Sequence, residues 1–275
     1  KSAATLFEVK DPWLYVEGNQ YGNEKKGSNG NSLFTADNPT FGAVISYYLK
    51  DGYKTLKDQR RAKEKKLEKE GKDTPYPSWS ELRAEDREEA PSVYVEIKDS
   101  NGDIVRRVPA SASKGFHRIA WDMRYPALPP VKLSKPSGYI PPWGHPPKGP
   151  MALPGKYTAT LMKRQMGKVE QLAAPQSFTV KLLDNSPEIT KDRKALLAAQ
   201  SRAGELYRKV QGTGRVYGEL KSRIDHVKEA IRISTNSTEE HAQTIRALAT
   251  RLTDVSVLLN GDRTISSRQE PVPWS

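Results

Sequence analysis

Residues 92–108 read SVYVEIKDSNGDIVRRV, and this stretch decides the fold class of the first part of the chain. Val93, Val95 and Ile97 alternate with polar residues, which is the period of a strand with one buried face. Asn101-Gly102 is a strong signal for a hairpin with a type I′ turn. The stretch therefore predicts two antiparallel strands joined by a tight turn.

Further strands are predicted on both sides of this hairpin, because β-branched and aromatic residues are enriched in residues 41–50, 115–123, 156–164 and 176–183. Trp121, in the second of these segments, is expected to be largely buried. Five or six antiparallel strands at this spacing are typical of a β-sandwich.

Two charged helices are predicted as an insertion between the first strand and the hairpin. Residues 54–72 are dense in lysine and arginine and poor in apolar side chains, so we expect a solvated helix that ends at Gly71. Ser78 and Glu81 have the spacing of a capping box, which predicts the start of a second helix. That helix should end before Pro91, because a residue before proline avoids the helical region.

A long helix is predicted after residue 185, with Ser186 as its cap and Pro187 in its first turn. Apolar or small residues then recur at alternating spacings of three and four, which predicts one helix of about 45 residues. A turn at Gly212–Gly214 is the competing prediction, since each glycine costs a helix about 1 kcal/mol relative to alanine. The seam consists of Leu196, Ala199, Ala203, Leu206, Val210, Thr213, Tyr217, Leu220, Ile224, Val227 and Ile231.

A second helix should start at a capping box formed by Ser237 and Glu240 and should end at Asn260-Gly261. The short link before it predicts an antiparallel hairpin. This helix is the shorter one, so we expect roughly twenty residues of the first seam to pack on the sandwich, on an upstream domain or on another chain. The apolar seam of the second helix contains His241, Ile245, Leu248, Leu252, Val255 and Leu259.

These patterns predict an α+β chain in four parts. The first part is an entry segment from an absent upstream domain (1–40), and the second is the sandwich (41–184), which includes the helical insertion (54–90) and a proline-rich loop (125–155). The third part is the helical hairpin (185–262), and the fourth is an irregular tail (263–275).

Composition narrows the function classes. The 275 residues include 45 Lys+Arg and 33 Asp+Glu, giving a formal charge of +12, and no cysteine. The absence of cysteine excludes disulfides, thiolate catalysis and cysteine-based metal sites. The basic residues are interleaved with acidic ones along the predicted helices, so we expect no nucleic-acid partner. No apolar run approaches the roughly 18 residues of a membrane span.

Catalytic motifs are not apparent, and we expect no cofactor, no metal and no enzymatic activity from this chain. The four histidines lack metal-ligand spacing, and no nucleotide-binding or nucleophile motif occurs. Asp122 follows Trp121 at a strand end, where it could serve as an acid in a sugar cleft. The alternative is that Asp122 hydrogen-bonds the backbone of the following loop.

The proline-rich loop is the candidate binding surface, with Tyr139, Trp143 and His145 as its main residues and Trp121 as a further member. Prolines lower the entropy cost of presenting aromatic rings, which then stack on sugars or insert into a neighbouring protein. The competing interpretation is that these rings fold back and cap the sandwich or a neighbouring domain.

Several motifs resemble known families. The predicted sandwich resembles the immunoglobulin-like sandwich of the flagellar hook-capping type. Three motifs carry this resemblance: the hairpin, GFHRIAWD at 115–122 and PGKY at 154–157. The wider layout of the chain resembles the C-terminal region of large secreted bacterial proteins with BNR or sortilin-type β-propellers, which are often labelled glycosyl hydrolases or sialidase-like. The resemblance lies in the order of five features: FTADNPTFGAVISYYLKD, GKDTPYPSWSELRAEDREE, KGFHRIAWDMRYP, PWG and a helical pair.

The second resemblance implies an extracytoplasmic bacterial protein whose propeller lies upstream of Lys1 and carries any catalytic residues. A chain that opens without an initiator methionine agrees with that expectation. The implied function is a non-catalytic accessory or scaffold region that mediates domain packing or protein assembly at the cell envelope. Its partner would be the propeller or another protein chain. The alternative is a carbohydrate-binding module with polysaccharide as its partner.

Overall fold

The computed structural model describes residues 2–15, 39–128, 147–183 and 192–270. It shows a mixed chain with curled β-sheet structure and a long C-terminal helix, which confirms the predicted α+β class. The chain divides into two compact units. The first contains residues 1–126 and 148–198, and the second contains residues 127–147 and 199–275.

The first unit contains two sheets. The smaller has the order β1 (Ala4–Leu6), β3 (Ala43–Leu49) and β6 (Gly115–Trp121), all antiparallel. The larger has the order β2 (Trp13–Leu14), β9 (Gln176–Leu182), β7 (Gly155–Gln165), β4 (Ser92–Asp99) and β5 (Ile104–Ala110), and β8 (Lys168–Gln171) pairs with β7. Only β2 and β9 run parallel within the described strands. The immunoglobulin-like arrangement of these strands stays a prediction.

One hydrophobic cluster joins the two sheets, because alternate residues of their strands are buried. Along β3 the burial alternates strictly, and Ile45 and Tyr47 are fully enclosed. Trp121 lies in the same cluster, with its ring centroid 5.1 Å from that of Tyr157 and 6.3 Å from that of Phe178. These edge-to-face contacts confirm the predicted burial of Trp121.

The hairpin between β4 and β5 is confirmed, but its turn is not of type I′. That type needs a positive φ at both central residues, whereas only Gly102, with φ 87°, has one here. The Asp99 carboxylate accepts hydrogen bonds from the backbone N–H of Asn101 (2.9 Å) and Asp103 (3.0 Å). Local bonding by this side chain therefore selects a longer loop.

Strands β1 and β8 were not predicted, whereas β2 lies in residues 7–16, which are rich in strand-forming residues. β8 follows a tight turn in which Met166 and Gly167 both have positive φ, at 49° and 73°. Near the N-terminus, Asp11 holds the parallel strand pair: its carboxylate accepts from the Thr179 N–H at 2.8 Å and lies 2.8 Å from the Lys181 ammonium. The hydrogen bond from Lys181 is the main cause that lowers the pKa of Asp11.

The two charged helices between β3 and β4 are confirmed as α1 (Leu56–Lys69) and α2 (Trp79–Arg87). The Ser78 hydroxyl accepts from the Glu81 N–H, and the Glu81 carboxylate accepts from the Ser78 N–H, so the capping box is present. Neither helix contains a buried residue. A bidentate pair between Arg60 and Glu85, at 2.6 and 2.9 Å, joins them instead.

The long helix α3 (Arg193–Ile233) begins in the first unit and continues through the second. It is continuous through Gly212 and Gly214, so the single-helix prediction is confirmed and the competing turn is wrong. The predicted start at Ser186 and Pro187 lies outside the described residues. Asp192 caps the observed start, since its carboxylate accepts from the Ala195 N–H at 2.9 Å.

The second long helix, α4 (Glu239–Asn260), starts one residue later than its predicted cap. Thr238, not Ser237, accepts from the N–H of the third helical residue, and the Nδ1 atom of His241 accepts from the Thr238 N–H. Ser237 instead donates its hydroxyl to the Ser234 carbonyl at 2.9 Å. Gly261, with φ 76°, ends α4 as predicted.

Residues after α4 depart from the predicted irregular tail, because residues 263–266 form a short helix, α5 (Arg263–Ser266), capped by Asp262. Throughout the ranges that the structure describes, no helix has the length and apolar character needed to cross a membrane.

Candidate docking surface on the long helix

Of the four predicted binding residues, only Trp121 lies in the described part of the chain. Tyr139, Trp143 and His145 lie outside the described residues. Trp121 is only 1% exposed, and its indole Nε1 donates to the Arg124 carbonyl at 3.0 Å. Its inclusion in an exposed binding surface was therefore wrong, because the ring fills the core between the sheets and has no face left for a ligand.

Asp122 hydrogen-bonds the backbone of the following loop, which was the alternative prediction to a catalytic role. Its carboxylate accepts a hydrogen bond from the Arg124 N–H at 3.2 Å, in the loop after β6. His117 bonds the Ser113 carbonyl at 2.8 Å and stacks on Tyr47. Within the described ranges, no group of three or more histidine and acidic side chains has the geometry of a metal site.

The predicted seam of α3 is an exposed apolar feature of the described residues. The helix contains no buried residue, although Leu206 and Val210 lie on the apolar stripe that its period creates. Leu206 is 63% exposed and Val210 49% exposed. We call the following part of the stripe the open seam: Ala199, Ala203, Leu206, Val210 and Thr213, all of which are exposed.

The side of α3 opposite the open seam is better covered. In heptad notation Val210 is at position a and Leu206 at position d, which places Gly204 at b, on the far side of the helix. A Cβ on residue 204 would lie 3.1 Å from the Cδ1 atom of Leu128. Glycine therefore lets Leu128 approach the back of α3 closely, whereas the residues of the open seam are exposed.

The C-terminal part of α3 shares apolar grooves with α4. One groove of about 460 Å³ is lined by Val227 and Ile231 of α3 and by His241, Ile245 and Leu248 of α4. Another groove is lined by Leu220, Ile224, Leu248, Arg251, Leu252 and Val255. Both pair the predicted seams of the two helices. The antiparallel hairpin itself stays a prediction.

Because the two helices differ in length, part of α3 extends beyond the reach of α4. α3 has 41 residues and α4 has 22, so about half of α3 extends beyond the length of its neighbour. The α3 residues that line grooves with α4 run from position 220 to position 232. The open seam lies before them.

Two sets of charged groups on α3 differ in their pairing. In the first set, each acidic group pairs with a basic group within one helical turn: Arg208 with Glu205 at 2.6 Å on the outer face, and Lys221, at heptad position e, with Asp225 at 2.9 Å. The hydrogen bond between Lys221 and Asp225 is the first cause that raises the pKa of Lys221 and lowers that of Asp225. The second set borders the open seam and is basic. It consists of Arg202 and Lys209, both at heptad position g.

Two clusters of exposed aromatic rings were missed by sequence reasoning. Tyr76 and Trp79, 80% and 70% exposed, lie with ring centroids 6.5 Å apart at the start of α2. Phe116 stacks on Phe7 at 5.9 Å and packs against Tyr48 at 4.8 Å on the smaller sheet. The strict apolar/polar alternation of β6 fails at Phe116, and this failure was the sequence signal from which its exposed ring could have been predicted.

The chain matches no known family model, no curated protein and no solved structure. The properties of the candidate site therefore rest on the geometry of the chain itself.

Proposed function

We propose that this chain is a non-catalytic accessory region that mediates protein–protein assembly, with the open seam of α3 as its contact surface for a helical segment of a partner protein. In this proposal it serves a large secreted bacterial protein with a β-propeller, as the order of its motifs suggests. The observation that carries the proposal is the exposure of Leu206 and Val210 on a helix with no buried residue.

The physical support is that an amphipathic helix gains most of its stability by packing its apolar stripe. Each large aliphatic side chain contributes about 1.5–3 kcal/mol when it is fully buried. The heptad spacing of the stripe suits knobs-into-holes contacts with another helix. A contact of this kind would cover the open seam, while the covered face near Gly204 stays in place.

The test is site-directed photo-crosslinking in the full chain, in cells that also produce the proposed propeller region. A photoreactive residue replaces Leu206 in the open seam, and a matched control replaces Ser222 on the outer face of the same helix. We expect an adduct with one defined polypeptide from position 206, and we expect Val210→Asp to abolish it.

Equal labelling from positions 206 and 222, or an adduct that persists with Val210→Asp, would contradict the proposal. Circular dichroism of each variant checks that the helix content is retained, so a loss of the adduct cannot be attributed to unfolding.

Carbohydrate binding is the second candidate function, and the exposed pair Tyr76 and Trp79 is the observation that favours it. Aromatic rings presented to solvent can stack on sugar rings. Affinity electrophoresis in gels that contain bacterial polysaccharide tests this function: Trp79→Ala should abolish retardation. Trp143→Ala, in the proline-rich loop, separates this surface from the one predicted from the sequence.

A further inference from the structure

We propose that the open seam binds an amphipathic helix whose flanking positions carry glutamate or aspartate. This inference rests on the proposed function and specifies the chemistry of the partner. It is carried by the position of the charged residues around the seam, together with the exposure of the seam itself.

The edge of the open seam is positively charged. Arg202 and Lys209 are one heptad apart, and each precedes an a-position residue, Ala203 and Val210 respectively. Both are exposed, and within the described part of the chain neither has a carboxylate at ion-pair distance. Charges at these positions of a helix pair select the partner, because they face the flanking positions of the other helix.

Negative charge on this part of α3 is directed away from the seam. Glu205 is at heptad position c, and its carboxylate pairs with Arg208 at position f. The other flank of the seam contains Gln200, Tyr207 and Gly214, which carry no charge. A partner helix therefore meets an apolar stripe with one basic border, and acidic flanks complement that border.

A second copy of the same helix fits less well. In an antiparallel pair the two g columns would face each other, which would place Arg202 near Lys209 of the other copy. In a parallel pair Arg202 and Lys209 would face Tyr207 and Gly214, and neither supplies a carboxylate. The charges consequently favour a different, acidic helix over self-association.

The test uses the full chain and two designed peptides of about three heptads with the same leucine core. One peptide carries glutamate at its e and g positions, and the other carries lysine there. Fluorescence anisotropy measures binding of each peptide. We expect the acidic peptide to bind about tenfold more tightly, with a preference that weakens as salt is added.

A matched pair of variants tests the residues. Arg202→Glu with Lys209→Glu should reverse the preference towards the lysine peptide. Arg208→Glu with Arg215→Glu changes the net charge equally, but on the outer face, and should leave the preference for the acidic peptide in place. Leu206→Asp should abolish binding of both peptides.

The outcomes separate this inference from the proposed function. If both peptides bind equally and Leu206→Asp abolishes their binding, the seam is a helix-binding surface and the inference about charge is overturned. If neither peptide binds and crosslinking from position 206 also fails, the proposed function is overturned as well. Dimers in sedimentation velocity, or binding to phosphatidylglycerol vesicles without any peptide preference, would also overturn the acidic-helix inference.

Discussion

The sheet unit and the long helices bury their apolar residues to very different extents. In the first unit, Trp121, Tyr47 and Ile45 are at most 1% exposed and belong to one core cluster. On α3 and α4 no residue is buried, although both helices carry regular apolar stripes. Periodicity therefore predicts which face of an element is apolar, whereas only the packing shows whether that face is covered.

The largest expected effect contrasts the two units directly. Trp121→Ala should lower the free energy of unfolding by about 3–5 kcal/mol, because it leaves a cavity in a closely packed core. Leu206→Ala on the open seam should change it by less than about 0.5 kcal/mol. Urea unfolding followed by circular dichroism measures both. A comparable cost for the two substitutions would show that the seam is covered and would remove the contrast.

The second effect tests a close backbone approach in the first unit. Gly42 has φ 105°, and a Cβ there would lie 2.0 Å from the Trp121 carbonyl oxygen. Gly42→Ala should therefore lower the free energy of unfolding by about 3 kcal/mol or more, because the backbone would have to move in addition to adopting a strained φ. Gly102→Ala is the matched control: its φ is also positive, at 87°, but the space around it is open. The control should cost about 1 kcal/mol, and equal losses would refute the steric part of the explanation.

The third predicted effect is a gain in stability, and it concerns α3. A Cβ added at Gly212 would meet no atom within 4 Å, so Gly212→Ala should stabilise the helix by about 0.5–1 kcal/mol. Gly204→Ala should gain less, because Leu128 would have to move away. Thermal unfolding monitored by the helix signal distinguishes the two. A larger gain at position 204 would contradict the close packing of Leu128.

The smallest predicted effect is a pH dependence that is confined to α1 and α2. The hydrogen bond from Arg60 is the main cause that lowers the pKa of Glu85 below its usual value near 4.5. A carboxylate with a lowered pKa contributes stability above that usual value and loses it as the pH falls through the pKa of the folded state. Amide NMR shifts of α2 should therefore change below about pH 4.5 before the core unfolds.

Glu85→Gln should remove most of that pH dependence, because it abolishes the ionisable group. Glu68→Gln, on the exposed side of α1, is the control and should leave the dependence intact. An unchanged titration in Glu85→Gln would assign the pH effect to another pair.

Local signals predicted much of the fold. The capping box at Ser78, the alternation around Val95 and the stop at Gly261 all act over a few residues, so the sequence contained the determining interactions. The errors arose where two local signals competed. Ser237 and Thr238 are both good helix caps, and the bonds each side chain makes decided between them.

The candidate site was predictable only in part. The spacing from Leu196 to Ile231 indicated an apolar stripe longer than its neighbour could cover. The exposure of Trp79 and Tyr76 was not predictable, because a tryptophan in the first turn of a helix is equally compatible with a buried position. Burial depends on residues distant in sequence, and a local pattern does not contain them.

The sequence by itself determined the period of each segment, the sign of its charged borders and the positions of its caps, because these depend on neighbours within about one helical turn or one strand pair. Only the tertiary structure decided that Trp121 closes a core while Leu206 faces outward. The reason is that burial is a property of two surfaces brought together: in the first unit both surfaces come from the described residues, whereas along the open seam the described part of the chain leaves Leu206 and Val210 exposed.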